Sequence, residues 1–204
     1  MPINIDTSIN QEPIPNRVGS GNSYTEFAND GTLTLQNDAT VWDDYMMALT
    51  QGKQGANSLP DFDYTNVGYL FPQNDASEII YLIGQLPHTY KEGSRIYPHL
   101  HWQQKGPSAI GWFVDYKIYA NGLPAPSAFT TLALSSSVWA YTSGSFAQIS
   151  KSVSGIDGTD FAISTVLLFK LYRNDNTYNG DALAGQFDIH FEVDSLGSRL
   201  EYIK

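Results

Sequence analysis

Residues Gln186 to Asp194 read Gln-Phe-Asp-Ile-His-Phe-Glu-Val-Asp, apolar at every odd position and polar or charged at every even one. Successive side chains of a strand point to opposite faces. Phe187, Ile189, Phe191 and Val193 therefore share one face, and Asp188, His190, Glu192 and Asp194 share the other. Such alternation predicts a strand with one face in a core and the other against water or a partner. Helical spacing would scatter these apolar and acidic residues round a cylinder.

The same period recurs along the chain. Thr32 to Leu35 alternates, and Gly111 to Tyr119 sets Trp112, Val114, Tyr116 and Ile118 against Phe113, Asp115, Lys117 and Tyr119. Asn121-Gly122 then closes that strand with a turn-forming pair. Glu78 to Ile83 and Phe161 to Tyr172 are apolar on both faces and predict buried strands. Arg95 to Trp102 predicts another, and shorter ones are expected at Phe129–Leu134, Val138–Tyr141 and Phe146–Val153. Ala39 to Leu49 is ambiguous, because Val41, Tyr45 and Leu49 stand four apart while Thr40-Val41-Trp42 favours a strand. It reads as a strand with a bulge. Gln51 to Gly68 reads as loop. Leu200, Tyr202 and Ile203 in the tail are expected to dock on the body.

Short strands separated by Gly, Pro and Asn turns, with no convincing helix, predict an all-β fold. The expected form is an antiparallel β-sandwich of jelly-roll type over residues 26–204. Residues 1–25 carry Pro2, Pro13, Pro15, Gly19 and Gly21 without a period and read as an extended arm. On that reading Ile3, Ile5, Ile9, Ile14 and Val18 lie along a neighbouring subunit.

Composition narrows the function classes. The formal net charge is −10 with 11 Lys and Arg, which argues against nucleic acid as a partner. There is no Cys, hence neither a disulfide framework nor a cysteine metal site. The longest apolar run falls far short of the ~20 residues of a membrane helix, and no signal peptide is expected. The chain carries 13 Tyr, 10 Phe and 4 Trp, a sheet-protein composition.

Candidate chemistry centres on His99-Leu100-His101, whose imidazoles leave one strand face two residues apart, close enough to share a metal ion. His190 would add a third nitrogen, and Asp188 or Glu192 an oxygen. Gly93 lies six residues before His99, so the stretch resembles part of the first cupin motif. Lys105 and Gly106 stand where a cupin places its Glu, and the second motif is absent around His190. The alternative is that these His residues hydrogen-bond across a polar face or line a subunit contact. Asp175 to Asp181 resembles the start of a calcium loop but has Gln186 in place of the closing Glu, so an Asx turn is the expectation. Asp43 and Asp44 are adjacent on a strand and point apart. Trp102, Phe113 and Tyr119 are candidate aromatics for a glycan platform, although such residues more often fill a core or a subunit interface. No phosphate-binding loop, zinc-protease helix or nucleophile elbow is present in the sequence.

One resemblance spans residues 30 to 204. It is carried by Asn37-Asp38-Ala39-Thr40-Val41-Trp42-Asp43-Asp44, Pro98-His99-Leu100-His101-Trp102 and Leu171-Tyr172-Arg173-Asn174 through Thr177-Tyr178-Asn179-Gly180-Asp181. Phe187-Asp188-Ile189-His190 and Asp194-Ser195-Leu196-Gly197-Ser198-Arg199 through Glu201-Tyr202 complete it. In this order the motifs resemble a group of virion structural proteins of tailed bacteriophages. The resemblance implies a particle component, such as a capsid decoration (head) protein or a head or tail fibre module, and implies no catalytic residues and no cofactor. The expectation is a virion-located homotrimer that contacts other virion proteins such as the major capsid protein, and in some settings a host surface glycan. The competing expectations are a cupin-like metal enzyme holding a divalent ion on His99, His101 and His190, and a carbohydrate-binding module.

Overall fold

Where the sequence alternates, the computed structural model buries the apolar face, and Asp188 of the polar face with it. Phe187, Ile189, Phe191 and Val193 are all buried, while His190 between them is exposed. The structure describes residues 16–55, 59–73, 75–103, 110–134, 136–137, 148–174 and 179–204. Strands dominate. β1 (Asn16–Ser20), β2 (Ser23–Phe27) and β3 (Leu33–Gln36) form a small antiparallel sheet. This sheet joins the body where Leu35 N donates to Asp194 O. β4 (Val41–Met47) follows, flanked by two single-turn 3-10 segments. Then come β5 (Lys53–Gln54), β6 (Asp61–Asp63), β7 (Gly68–Phe71) and β8 (Ile80–Gln85). β9 (Tyr97–Gln103), β10 (Trp112–Tyr119), β11 (Thr130–Leu134) and β12 (Ser136–Ser137) lead to β13 (Gln148–Lys151), β14 (Val166–Arg173) and β15 (Ala182–Val193).

Two sheets make the sandwich. One runs β11-β10-β14-β8-β5. The other runs β12-β13-β9-β15-β7-β6, with β4 pairing the later part of β15. Four strands of each sheet, β4-β15-β9-β13 and β8-β14-β10-β11, form a jelly roll. The chain changes sheet at every step between these eight strands except the β10–β11 hairpin. All pairings are antiparallel.

The core lies between the sheets because each contributes one apolar face. Phe169 meets Phe187 with ring centroids 5.2 Å apart, Trp112 stands edge-on to Phe71 at 5.3 Å, and Trp102 tilts against Trp112 at 6.0 Å. Gly84 in β8 permits a close approach, since a Cβ there would lie 2.6 Å from the Tyr45 ring of β4. Arg173 is fully buried at the end of β14, where Nη1 donates to the Phe71 and Gly180 carbonyls.

Several expectations need correction. Ala39 to Leu49 does contain a strand, but β4 pairs β15 without a break in register; the bulge lies in β15, between Ala184 and Gln186. The stretch expected as loop from Gln51 to Gly68 includes β5 and β6. β8 is not apolar-buried on both faces, because Ile83 points outward and is exposed. Leu200, Tyr202 and Ile203 are exposed; the tail is instead tied down by Lys204 Nζ, which donates to the Thr89 and Tyr90 carbonyls and to Asp194. Within the expected arm, residues 16–20 and 23–25 are paired in β1 and β2, and Val18 is exposed. Ile3, Ile5, Ile9 and Ile14 lie outside the described residues, as do the expected strand at Val138–Tyr141 and Asp175 to Tyr178 of the turn.

Candidate functional site

β9 has two faces of different character. Pro98, Leu100 and Trp102 turn into the core, so Tyr97, His99 and His101 emerge on the outer face of the sheet. β15 lies beside it in antiparallel register, with Asp188 opposite His99 and His190 opposite Tyr97. On the other side of β15, β4 places Asp44 opposite His190. Alternation along β4 sends Trp42 to the same face as Asp44. Three strands thus bring three imidazoles, two carboxylates and two aromatic rings onto one outer face. All of these but Asp188, together with Lys151 and Val153, line an open cleft of about 870 Å³.

The three sequence-predicted imidazoles do come together. The His99 ring lies 5.2 Å from that of His101 and 4.2 Å from that of His190, centroid to centroid. Asp188 and Asp44 organise them differently. Asp188 Oδ1 is 3.0 Å from His99 Nε2, and its Oδ2 is 3.7 Å from His101 Nε2. His190 Nε2 meets Asp44 Oδ1 at 2.6 Å near the rim, where both side chains are about half exposed. Asp188 is therefore the expected oxygen partner and Glu192 is not: its carboxylate binds Lys91 Nζ at 2.5 Å and accepts from Thr40. Asp43 points away from Asp44, as expected, and accepts from the Asp44 backbone N–H.

Burial sets the electrostatics. His99 and Asp188 are each only 4% exposed. Loss of hydration disfavours the charged form of both. The His99 imidazolium is pushed down to about 4, chiefly by burial and then by the neighbouring His190 and His101. Burial, followed by the nearby Asp44 charge, pushes the Asp188 carboxyl up to about 7. His101 is lowered as well, again mainly by burial. Burial thus disfavours the charged forms of all three of these groups. His99 Nε2 and Asp188 Oδ1 approach without hydrogen-bond geometry, which leaves Asp188 Oδ1 buried with no hydrogen-bond partner.

Trp42 makes one wall. Its indole is 57% exposed and stands edge-on to Tyr97, centroids 5.6 Å apart. Neither residue was singled out by the sequence reading. The aromatics it did single out do not form a platform. Trp102 is buried in the core and donates from Nε1 to Ser150 Oγ at 2.8 Å, because it shares the Leu100 face of β9 rather than the His face. Phe113 and Tyr119 belong to the opposite sheet. There Phe113 is half-buried and stacked on Tyr172.

Such a surface can present hydrogen-bond donors and acceptors beside an aromatic face, or offer imidazole and carboxylate ligands to an ion. No family model matches this chain, and no curated protein matches it. Solved structures with a distant likeness include the following two. A carbohydrate-binding module, TmCBM27, described for specific mannan recognition, aligns with TM-score 0.38 and 7% identity over 74% of this chain and 98% of that one. The enzymatically active domain of bacteriophage CBA120 tailspike protein 4 aligns with TM-score 0.28 and 7% identity, over 76% of this chain and 19% of that one. At these scores neither likeness bears on function.

Proposed function

We propose that the chain is a non-catalytic structural and binding component of a tailed-bacteriophage particle, and that the outer-face cleft over β4, β15, β9 and β13 takes a carbohydrate. The observation that carries the binding reading is the exposed Trp42 beside Tyr97, forming an aromatic wall beside polar side chains of the cleft. A sugar ring has an apolar C–H face and a hydroxyl rim. Trp42 offers the stacking surface, and Asp44, His190 and His101 offer partners to hydroxyls. Lowering of the His101 charge by burial leaves an imidazole able to accept as well as donate.

The virion setting is supported by the sequence resemblance over residues 30 to 204. Met46, Ile83 and Leu196 are exposed apolar side chains of the kind that contacts between copies, or with a shell protein, would cover. The expected assembly is a homotrimer on the head or tail. A glycan-array screen tests the binding reading: wild-type protein retains one class of glycan and Trp42→Ala does not, whereas an array without a hit removes it. Mass spectrometry of purified particles tests the setting, and absence of the chain from the particle overturns it.

A further inference from the structure

We infer that His99, His101 and Asp188 form a binding site for a divalent transition-metal ion of the zinc class, with its open position turned to the cleft. This goes beyond the carbohydrate reading and does not depend on it.

Two overlapping groups of ligand atoms lie within 4.8 Å of one another: Asp44, His99 and His190; and His99, His101 and Asp188. In the first, Asp44 and His190 already satisfy each other at 2.6 Å and stand in solvent. In the second, Asp188 Oδ1 is buried without a hydrogen bond and faces His99 Nε2. A buried carboxyl oxygen without a hydrogen bond is costly unless something absent from the bare chain satisfies it. The spacing suits a small ion. Ligands at the ~2.0–2.1 Å of zinc bonds stand about 3.3 Å apart in a tetrahedron. Asp188 Oδ1 stands 3.0 Å from His99 Nε2, close to that edge, Oδ2 stands 3.7 Å from His101 Nε2, and one ligand atom from each of the three residues lies within 4.8 Å of the others. Two nitrogens and one oxygen select zinc-class ions over calcium or magnesium, which take oxygen shells. His101 is 39% exposed and lines the cleft, so the fourth position opens there.

The test uses the full chain stripped with chelator. Titration with Zn²⁺ alone is expected to bind one equivalent and raise the melting temperature, while Mg²⁺ does neither. Co²⁺ is expected to give the intense visible absorption of a tetrahedral site. Losing a group that only hydrogen-bonds to a metal ligand already weakens binding by about 10–100-fold, so loss of a ligand by His101→Ala or Asp188→Asn weakens Zn²⁺ by at least about 100-fold. His101→Ala removes a part-exposed side chain, so it decides the matter if Asp188→Asn fails to fold. Trp42→Ala keeps the ion while losing the glycan, which separates failure of one reading from failure of the other. Binding of less than one equivalent, or Zn²⁺ affinity unchanged in His101→Ala, overturns the site.

Discussion

Removing an indole at two positions should have opposite consequences. Trp42 is 57% exposed, and its described ring contact is the edge-on one with Tyr97. Losing that contact costs about 0.5–1.5 kcal/mol of stability. Trp102 is 4% exposed, packs on Trp112 and donates to the buried Ser150 hydroxyl. Truncating it opens a cavity between the sheets and strands Ser150 Oγ, at about 3–5 kcal/mol. Binding should show the reverse order. An exposed aromatic anchor is worth about 2 kcal/mol, or about 30-fold in Kd. Urea melts and titrations with the best array glycan measure both quantities. Trp42→Ala is expected to melt near wild type and bind about 30-fold more weakly. Trp102→Phe, which keeps most of the core volume but loses the Ser150 bond, is expected to lose stability and retain binding. Equal destabilisation by the two alanine substitutions, or unchanged binding in Trp42→Ala, would refute the assignment of the two tryptophans.

Other consequences follow from buried polar groups and tight backbone. Arg173→Met leaves the Phe71 and Gly180 carbonyls without a donor, and should lower the urea midpoint by the equivalent of about 3 kcal/mol. Burial, then the charges of Asp75, Asp61 and Asp181, raise Glu78 from 4.5 to about 7. The folded chain therefore holds this proton more tightly than the unfolded one. The stability it contributes is fully present below pH 4.5 and is lost as pH rises through about 7. Glu78→Gln should flatten that decline in melts taken across this window. A Cβ on Gly158 would sit 1.8 Å from the Ser94 carbonyl oxygen and 2.6 Å from the Tyr90 hydroxyl, so Gly158→Ala should cost at least about 2 kcal/mol, read by thermal melting.

Local alternation carried much of the fold. The core face of β15 and the two faces of β10 follow from period two alone, and so does the common face of His99 and His101. Parity also sets Trp102 opposite those imidazoles. Which face is buried depends on the facing sheet, however, so period two alone leaves Trp102 open to a core, an interface or a glycan platform. Ile83 failed for the same reason: an apolar run says nothing of whether anything covers its second face. The missing wall of the cleft has a different cause. Trp42 and Asp44 reach the His cluster only because β4 pairs with β15, from the other end of the chain. Long-range register of this kind leaves no local mark. Asp44 was correctly separated from Asp43, yet nothing near it in sequence names His190 as its partner.

The central claim is that the His-and-tryptophan cleft on the outer sheet face is where this protein meets its ligand. A crystal structure with the best array glycan soaked in tests it most directly. A sugar ring is expected against the Trp42 indole, with hydroxyls reaching Asp44, His190 or His101. A glycan bound on the β10–β14 face, or anywhere out of contact with Trp42, would contradict it.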